Sequence, residues 1–220
     1  PHDHERRSAL VHFIDRNEYL SSLIDDPRLD DIASSILGGD YNYISSDGNF
    51  YVGDTRWHSD GDRVTKYLSM KMGFYLDPVT RDSGCLRVIP GSHHVGDRFA
   101  EAMHEAAETS RDNRMDELWG INGNEVPAMA LETLPGDVLL FNLKIKHSSW
   151  GGSDRRRMFT INLEQRYRYE DLGRCVSSWA ITASRAWSCP FSPARRVRWI
   201  GLTLSTGWSR PMQGWWEPAC

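Results

Sequence analysis

The chain's 220 residues fit one ordinary domain with, at most, an appended tail. A hydrophobic fraction of 40% and a charged fraction of 25% are globular values, and no apolar run approaches the ~20 residues that span a bilayer. A net charge of −4 lacks the basic footprint of a nucleic-acid binder, so the expected partner is a small molecule and neither nucleic acid nor membrane.

In chain order, Asp15 and Glu18 stand at capping-box spacing ahead of Leu20, Leu23 and Ile24, which predicts a first helix. Asp26-Pro27 supplies a cap and a first-turn proline for a second helix carrying Leu29, Ile32, Ala33, Ile36 and Leu37, and Gly38-Gly39 stops it. From Tyr41 the pattern changes. Tyr41–Ile44, Phe50–Val52, Tyr67–Leu76, Cys85–Ile89, Val138–Ile145 and Met158–Arg166 are β-rich runs parted by Gly, Pro, Asp and Ser. Strands at such spacing, without long helices between them, favour an antiparallel sandwich or barrel over a parallel α/β sheet. Residues 97–118, rich in Ala, Glu and Met, predict a helix, either a surface insertion or a lid.

The last fifty residues differ. Residues 1–170 hold 28 acidic and 20 basic residues, whereas 171–220 hold two acidic residues against six Arg, with six of the nine Trp and three of the four Cys. The expected organisation is a domain over 1–170 and a Trp/Arg/Ser-rich tail over 171–220, which either packs its Trp onto the body or is foreign to the fold. The opening residues are polar and charged, without a secretory apolar stretch. Scattered cysteines read as reduced thiols, so a cytoplasmic location is expected. The absent first Met points to a processed or truncated chain.

The informative segment is Thr55-Arg-Trp-His58-Ser-Asp60. On a strand, residues two apart share a face, so His58 and Asp60 project into one space as two arms of a metal site. Alone this is a weak signal, equally met by a surface His–Asp pair. Leu134-Pro-Gly-Asp137 launches an apolar strand that ends at His147, a position where an unpartnered ring is costly to bury. Two His and one carboxylate form the facial triad of non-haem Fe(II) oxygenases, which leaves coordination positions open. Arg156 and Arg157, before the next apolar strand, offer a fork for a distal carboxylate.

Several blocks in order resemble the phytanoyl-CoA dioxygenase family of Fe(II)/2-oxoglutarate oxygenases. They are Trp57-His58-Ser-Asp60, Phe74-Tyr-Leu-Asp-Pro-Val79, Ser83 through His93, Leu134-Pro-Gly-Asp-Val-Leu-Leu-Phe141, His147-Ser-Ser149 and Arg156-Arg157. The resemblance spans roughly residues 10–170 and implies a mainly β, double-stranded β-helix (jelly-roll, cupin-like) fold with flanking helices. It makes His58, Asp60 and His147 the iron ligands and gives the distal carboxylate of 2-oxoglutarate to Arg156, with Arg157 as the alternative and Ser149 in support. The implied reaction consumes O2 and 2-oxoglutarate, releases succinate and CO2, and hydroxylates a small molecule. Asp60 fills the position that related halogenases leave small, which favours hydroxylation.

Other residues read more plainly. His93 and His94 follow a Pro-Gly-Ser turn, Cys85 is a small core residue, and Trp57 and Trp150 either pack in the core or wall the site. Lys66, Tyr67 and Lys71 either face solvent or reach substrate. The rival readings are a non-catalytic metal-binding jelly roll and, more weakly, a zinc hydrolase, which needs a second carboxylate as general base.

Overall fold

The computed structural model describes residues 7–60, 66–109, 117–118, 121–152, 155–171 and 199–201. Its first helical signals resolve differently from the capping-box prediction. Asp15 lies in a 3-10 turn, Ile14–Arg16, and its carboxylate accepts from the Tyr43 hydroxyl at 2.6 Å. Asn17 is extended and caps the single-turn helix α1 (Glu18–Ser21) by accepting from the Tyr19 and Leu20 amides. The second helix, α2 (Pro27–Leu37), matches its local signals. Asp26 accepts from the Arg28 amide at 3.0 Å, and Gly38, at φ 100°, ends it in a backbone region few side chains tolerate.

The strands are β1 (Arg7–Val11), β2 (Asp40–Tyr51), β3 (Ser69–Tyr75), β4 (Leu86–Val88), β5 (Glu117–Leu118), β6 (Ile121–Asn122), β7 (Met129–Leu131), β8 (Val138–Asn142), β9 (His147–Ser149), β10 (Arg156–Gln165) and β11 (Trp199–Gly201). Helix α3 (Arg98–Thr109) accounts for part of the helix predicted over 97–118, and residues 110–116 lie outside the described residues. The larger sheet runs β1-β2-β10-β3-β8, with β11 pairing the start of β2. The smaller runs β7-β4-β9 and is extended past β9 by a single bridge, His58 to His147. β5 and β6 form a separate hairpin.

All these pairings are antiparallel. The two sheets face each other in the expected jelly roll, and Tyr75, Leu139 and Met158 of the larger pack with Cys85 and Ala130 at the smaller. On the outer side of the larger sheet, α2 and the segment before it press Ile14, Ile24, Ala33 and Leu37 onto Met70, Met72, Ile161 and Leu163. That second face is why the outward residues of β3 and β10 are apolar, whereas their inward residues, among them Lys71, Arg156 and Thr160, are mostly polar and line the space between the sheets.

Two strand predictions need correction. Tyr41–Ile44 and Phe50–Val52 are one strand, because Ser46 and Gly48, read as turn residues, are structural. The Ser46 hydroxyl accepts from the Ile14 amide at 3.0 Å, and the Phe13 ring lies directly on Gly48. Next, β8 stops at Asn142, whose side chain accepts from the Lys144 amide at 2.9 Å in an Asx turn. Residues 143–146 carry the chain into the other sheet, so His147 opens β9 and does not close an apolar strand. Of the 171–220 tail, the described part pairs Trp199–Gly201 with Asp40–Asn42, and Asp171 accepts from Lys66 and Tyr67. The other Trp and Cys residues of the tail lie outside the described residues.

Candidate metal centre

His58 and His147 exchange both backbone hydrogen bonds, 3.0 Å and 2.9 Å, and their ring centroids stand 4.4 Å apart on one side of the pair. Two residues on, the Asp60 amide donates to Leu143 O at 2.9 Å, so its side chain returns to the same side. The strand predicted for this segment is reduced to that bridge, yet the period of two survives. The Ser59 hydroxyl, on the opposite side, donates to Lys144 O at 2.8 Å and pins the segment down.

Each imidazole is oriented by its own chain. Nδ1 of His58 lies 2.7 Å from Arg56 O, and Nδ1 of His147 lies 2.9 Å from Ile145 O. A carbonyl only accepts, so both Nδ1 atoms carry the proton and both Nε2 lone pairs point inward. There they meet Asp60: His58 Nε2 is 3.5 Å from Oδ1 and His147 Nε2 is 3.2 Å from Oδ2. With neutral rings these are contacts between acceptors, which a cation would reconcile. Adjacent ligands about 2.1 Å from one octahedral ion stand ~3.0 Å apart, so the three atoms fit one divalent ion with small adjustments. The three groups' candidate ligand atoms all lie within 4.8 Å of one another.

Burial lowers the pKa of His147 and favours the neutral ring that a metal needs. Burial pushes Asp60 the other way, but the Lys71 ammonium at 2.6 Å opposes it, and the carboxyl is held well below the usual range.

A cavity of about 410 Å³ opens beside this cluster between the sheets. Arg156 opens β10 and is 1% exposed. Its Nη1 donates to Gly84 O at 3.0 Å and its guanidinium sits 5.0 Å from the Tyr51 ring, while Nε and Nη2 have no partner. Ser149, two residues beyond His147 on β9, is buried and lines the same cavity. Beside them, burial pushes the Tyr75 phenol up to about 12, against the lowering effects of Arg156 and of a hydrogen bond with Ser149.

Arg157 has the opposite parity. Its Nε and Nη2 fork onto Asp77 at 3.0 and 2.6 Å, and its side chain is 41% exposed, away from the cavity. Of the other tempting residues, Lys71 alone reaches the cavity; Lys66 and Tyr67 turn to Asp171. Trp57 and Trp150 pack with Ile89 and Val126 in a separate core. His93 and His94 set their rings against each other, tilted by 35°, in the turn after Pro90, and Cys85 is buried. Tyr51 and Tyr75, which sequence reasoning passed over, both line the cavity; alternation from Lys71 through Gly73 to Tyr75 was the available signal.

An antiparallel jelly roll that gathers two imidazoles and a carboxylate between its sheets offers a candidate mononuclear metal centre. The chain belongs to the phytanoyl-CoA dioxygenase (PhyH) family, whose sequence profile matches residues 2–159. It is 28% identical to the ectoine dioxygenase of Sphingopyxis alaskensis over 174 residues, covering 69% of this chain and 54% of that protein. It is 38% identical to dioxygenase lolE1 of Epichloe uncinata over 72 residues, 33% of this chain and 23% of the relative. The chain thus spans about half or less of these relatives. Among solved structures, apo EctD from S. alaskensis superposes with a TM-score of 0.54 at 25% identity, over 75% of this chain and 59% of that one. HygX of Streptomyces hygroscopicus, solved with nickel and 2-oxoglutarate bound, gives 0.59 at 15% identity over 74% and 71%, a likeness of fold.

Proposed function

We propose that the chain is an Fe(II)- and 2-oxoglutarate-dependent dioxygenase that hydroxylates a small molecule. The observation that carries this reading is Arg156, a buried guanidinium with two unpartnered nitrogens in the same cavity as the His58, Asp60 and His147 cluster. A fork of that kind is costly to bury without an anion and is shaped for a carboxylate. Bound iron, with O2 and 2-oxoglutarate as co-substrates, supplies the oxidation of a C–H bond and releases succinate and CO2. His58, Asp60 and His147 each give one atom, which leaves positions open for co-substrates. Arg156, supported by Ser149 and Tyr75, holds the distal carboxylate. Leu139 and Met158 line the wall between and exclude water.

Arg157, paired with Asp77, has no part in this reading. A purely structural metal site has no use for the Arg156 fork, and neither has a zinc hydrolase, even though a second carboxylate, Asp47, lines the cavity. Asp60 occupies the position a halide would take, which supports hydroxylation. Ectoine dioxygenase likeness supports a small-molecule substrate, and the buried unpaired Cys85 accords with a cytoplasmic setting. Among the described residues no helix is long and apolar enough to cross a membrane. Anaerobic Fe(II) titration with and without 2-oxoglutarate tests the proposal. A weak visible charge-transfer band should grow only when both are present, and its absence in folded protein refutes the reading.

A further inference from the structure

We infer that Lys71 and the bound metal together form an anion-binding subsite, which draws a carboxylate or small inorganic anion to an open coordination position. This rests on the metal reading above. The three proposed ligands hang from the smaller sheet and its edge. Lys71 comes from the opposite wall, on β3, with its side chain 12% exposed and Nζ 2.6 Å from Asp60 Oδ2. Among the described residues it is the cation in contact with the triad. Its cross-strand neighbours are Asn162 and Phe141, neither of them acidic, and of the two carboxylates lining the cavity, Asp47 and Asp60, Asp60 is the one it pairs with.

The charge balance follows. A divalent ion with Asp60 alone carries one net positive charge. With Lys71 sharing the same carboxylate it carries two, so this end still attracts an anion strongly after Asp60 is counted and more than neutralises one carboxylate of 2-oxoglutarate. Arg156 serves the far carboxylate at the other end of the cavity, so Lys71 acts on the near one. The Phe141 ring, 5.0 Å from the His147 ring, walls this side against water and keeps the lysine charge poorly screened. The plainer alternative is that Lys71 only neutralises Asp60 in the metal-free protein and swings aside once a metal is bound.

Anion titration of the metal-loaded protein separates the two. The parent, Lys71→Met, Lys71→Arg and Arg157→Met proteins are loaded with Co(II), checked for one equivalent, and titrated with azide and then with pyruvate, a 2-oxo acid without a distal carboxylate. The Co(II) visible bands report binding. Loss of one unit charge about 5 Å from the bound anion should weaken azide and pyruvate at least about tenfold in Lys71→Met. Lys71→Arg should stay within about threefold of the parent, and Arg157→Met, whose side chain turns away from the cavity to Asp77, should bind both anions like the parent. Lys71→Gln serves where the Met variant does not fold. Equal anion affinity in parent and Lys71→Met overturns the subsite, as does loss of Co(II) from Lys71→Met alone, which would make the lysine a metal-retention group. Failure of the parent to take up Co(II) overturns the metal reading itself.

Discussion

Replacing Arg156 by Met removes the fork but keeps most of the side-chain volume, so affinity and stability should move independently. In the parent, Nε and Nη2 are unpartnered, and each is free to meet a carboxylate oxygen. Hydrogen bonds to charged groups contribute about 1.5–3 kcal/mol each, and with imperfect additivity the pair is worth about 3 kcal/mol. The 2-oxoglutarate dissociation constant should therefore rise roughly a hundredfold. Stability is a separate balance. The variant loses the charge-assisted bond to Gly84 O and the contact with Tyr51, about 2–4 kcal/mol together, but relieves two buried donors that each cost about 1–3 kcal/mol. The metal-free variant should be about as resistant to urea as the parent. Calorimetric titration of 2-oxoglutarate onto Co(II)-loaded protein, with urea denaturation alongside, reads both quantities. Arg157→Met is the control, since it breaks only the Asp77 pair. A 2-oxoglutarate affinity within threefold of the parent in Arg156→Met, or a large loss in Arg157→Met, refutes the assignment.

Removing an imidazole should cost more than the 10–100-fold that outer-shell partners are worth, so His58→Ala and His147→Ala should each weaken Co(II) binding by more than about a hundredfold while far-UV dichroism stays unchanged. Gly48→Ala should destabilise by about 2 kcal/mol, since the added Cβ would lie 2.2 Å from Phe13 Cδ2 and that ring packs against Phe159, 5.5 Å between centroids; a fall in melting temperature of roughly 4–8 °C checks this. Glu164 gives a pH signature. Burial raises its carboxyl above the ordinary value of 4.5, although the Tyr167 hydroxyl opposes the shift. The folded state therefore holds the proton more tightly than the unfolded state. The associated stability is complete below about pH 4.5 and is lost as pH rises through the folded value. Glu164→Gln should remove this dependence and be more stable than the parent at pH 7.5, as urea midpoints at pH 4.5 and 7.5 will show.

Local signals were legible and long-range ones were not. Asp26-Pro27 and Gly38-Gly39 placed α2 correctly, because caps act on neighbouring backbone. His58 and Asp60 were readable as partners since their shared face needs only a few extended residues. His147 was found as a residue but set on the wrong strand, because the turn that redirects the chain depends on the Asn142 side chain. Whether Arg156 or Arg157 faces inward depends on where β10 meets β2, with Arg156 opposite Tyr51, and a count from His147 through the intervening loop does not reveal it. β1 escaped notice because its five residues, Arg7–Val11, are all exposed and carry no alternation. β2 was split in two because Ser46 and Gly48 serve contacts with Ile14 and Phe13, thirty residues away or more.

The ladder rung between His58 and His147 carries both rings on a sheet margin otherwise held by scattered single bonds, from Thr55 to Ser148 and Ser149 and from Ser59 and Asp60 to the chain before His147. When that margin frays, the two nitrogens part company together, so fraying and cation release become one event. Mass action then works in reverse: a tightly held ion closes the margin like a clasp, and the two rung amides should exchange their hydrogens more slowly as the free ion concentration is raised.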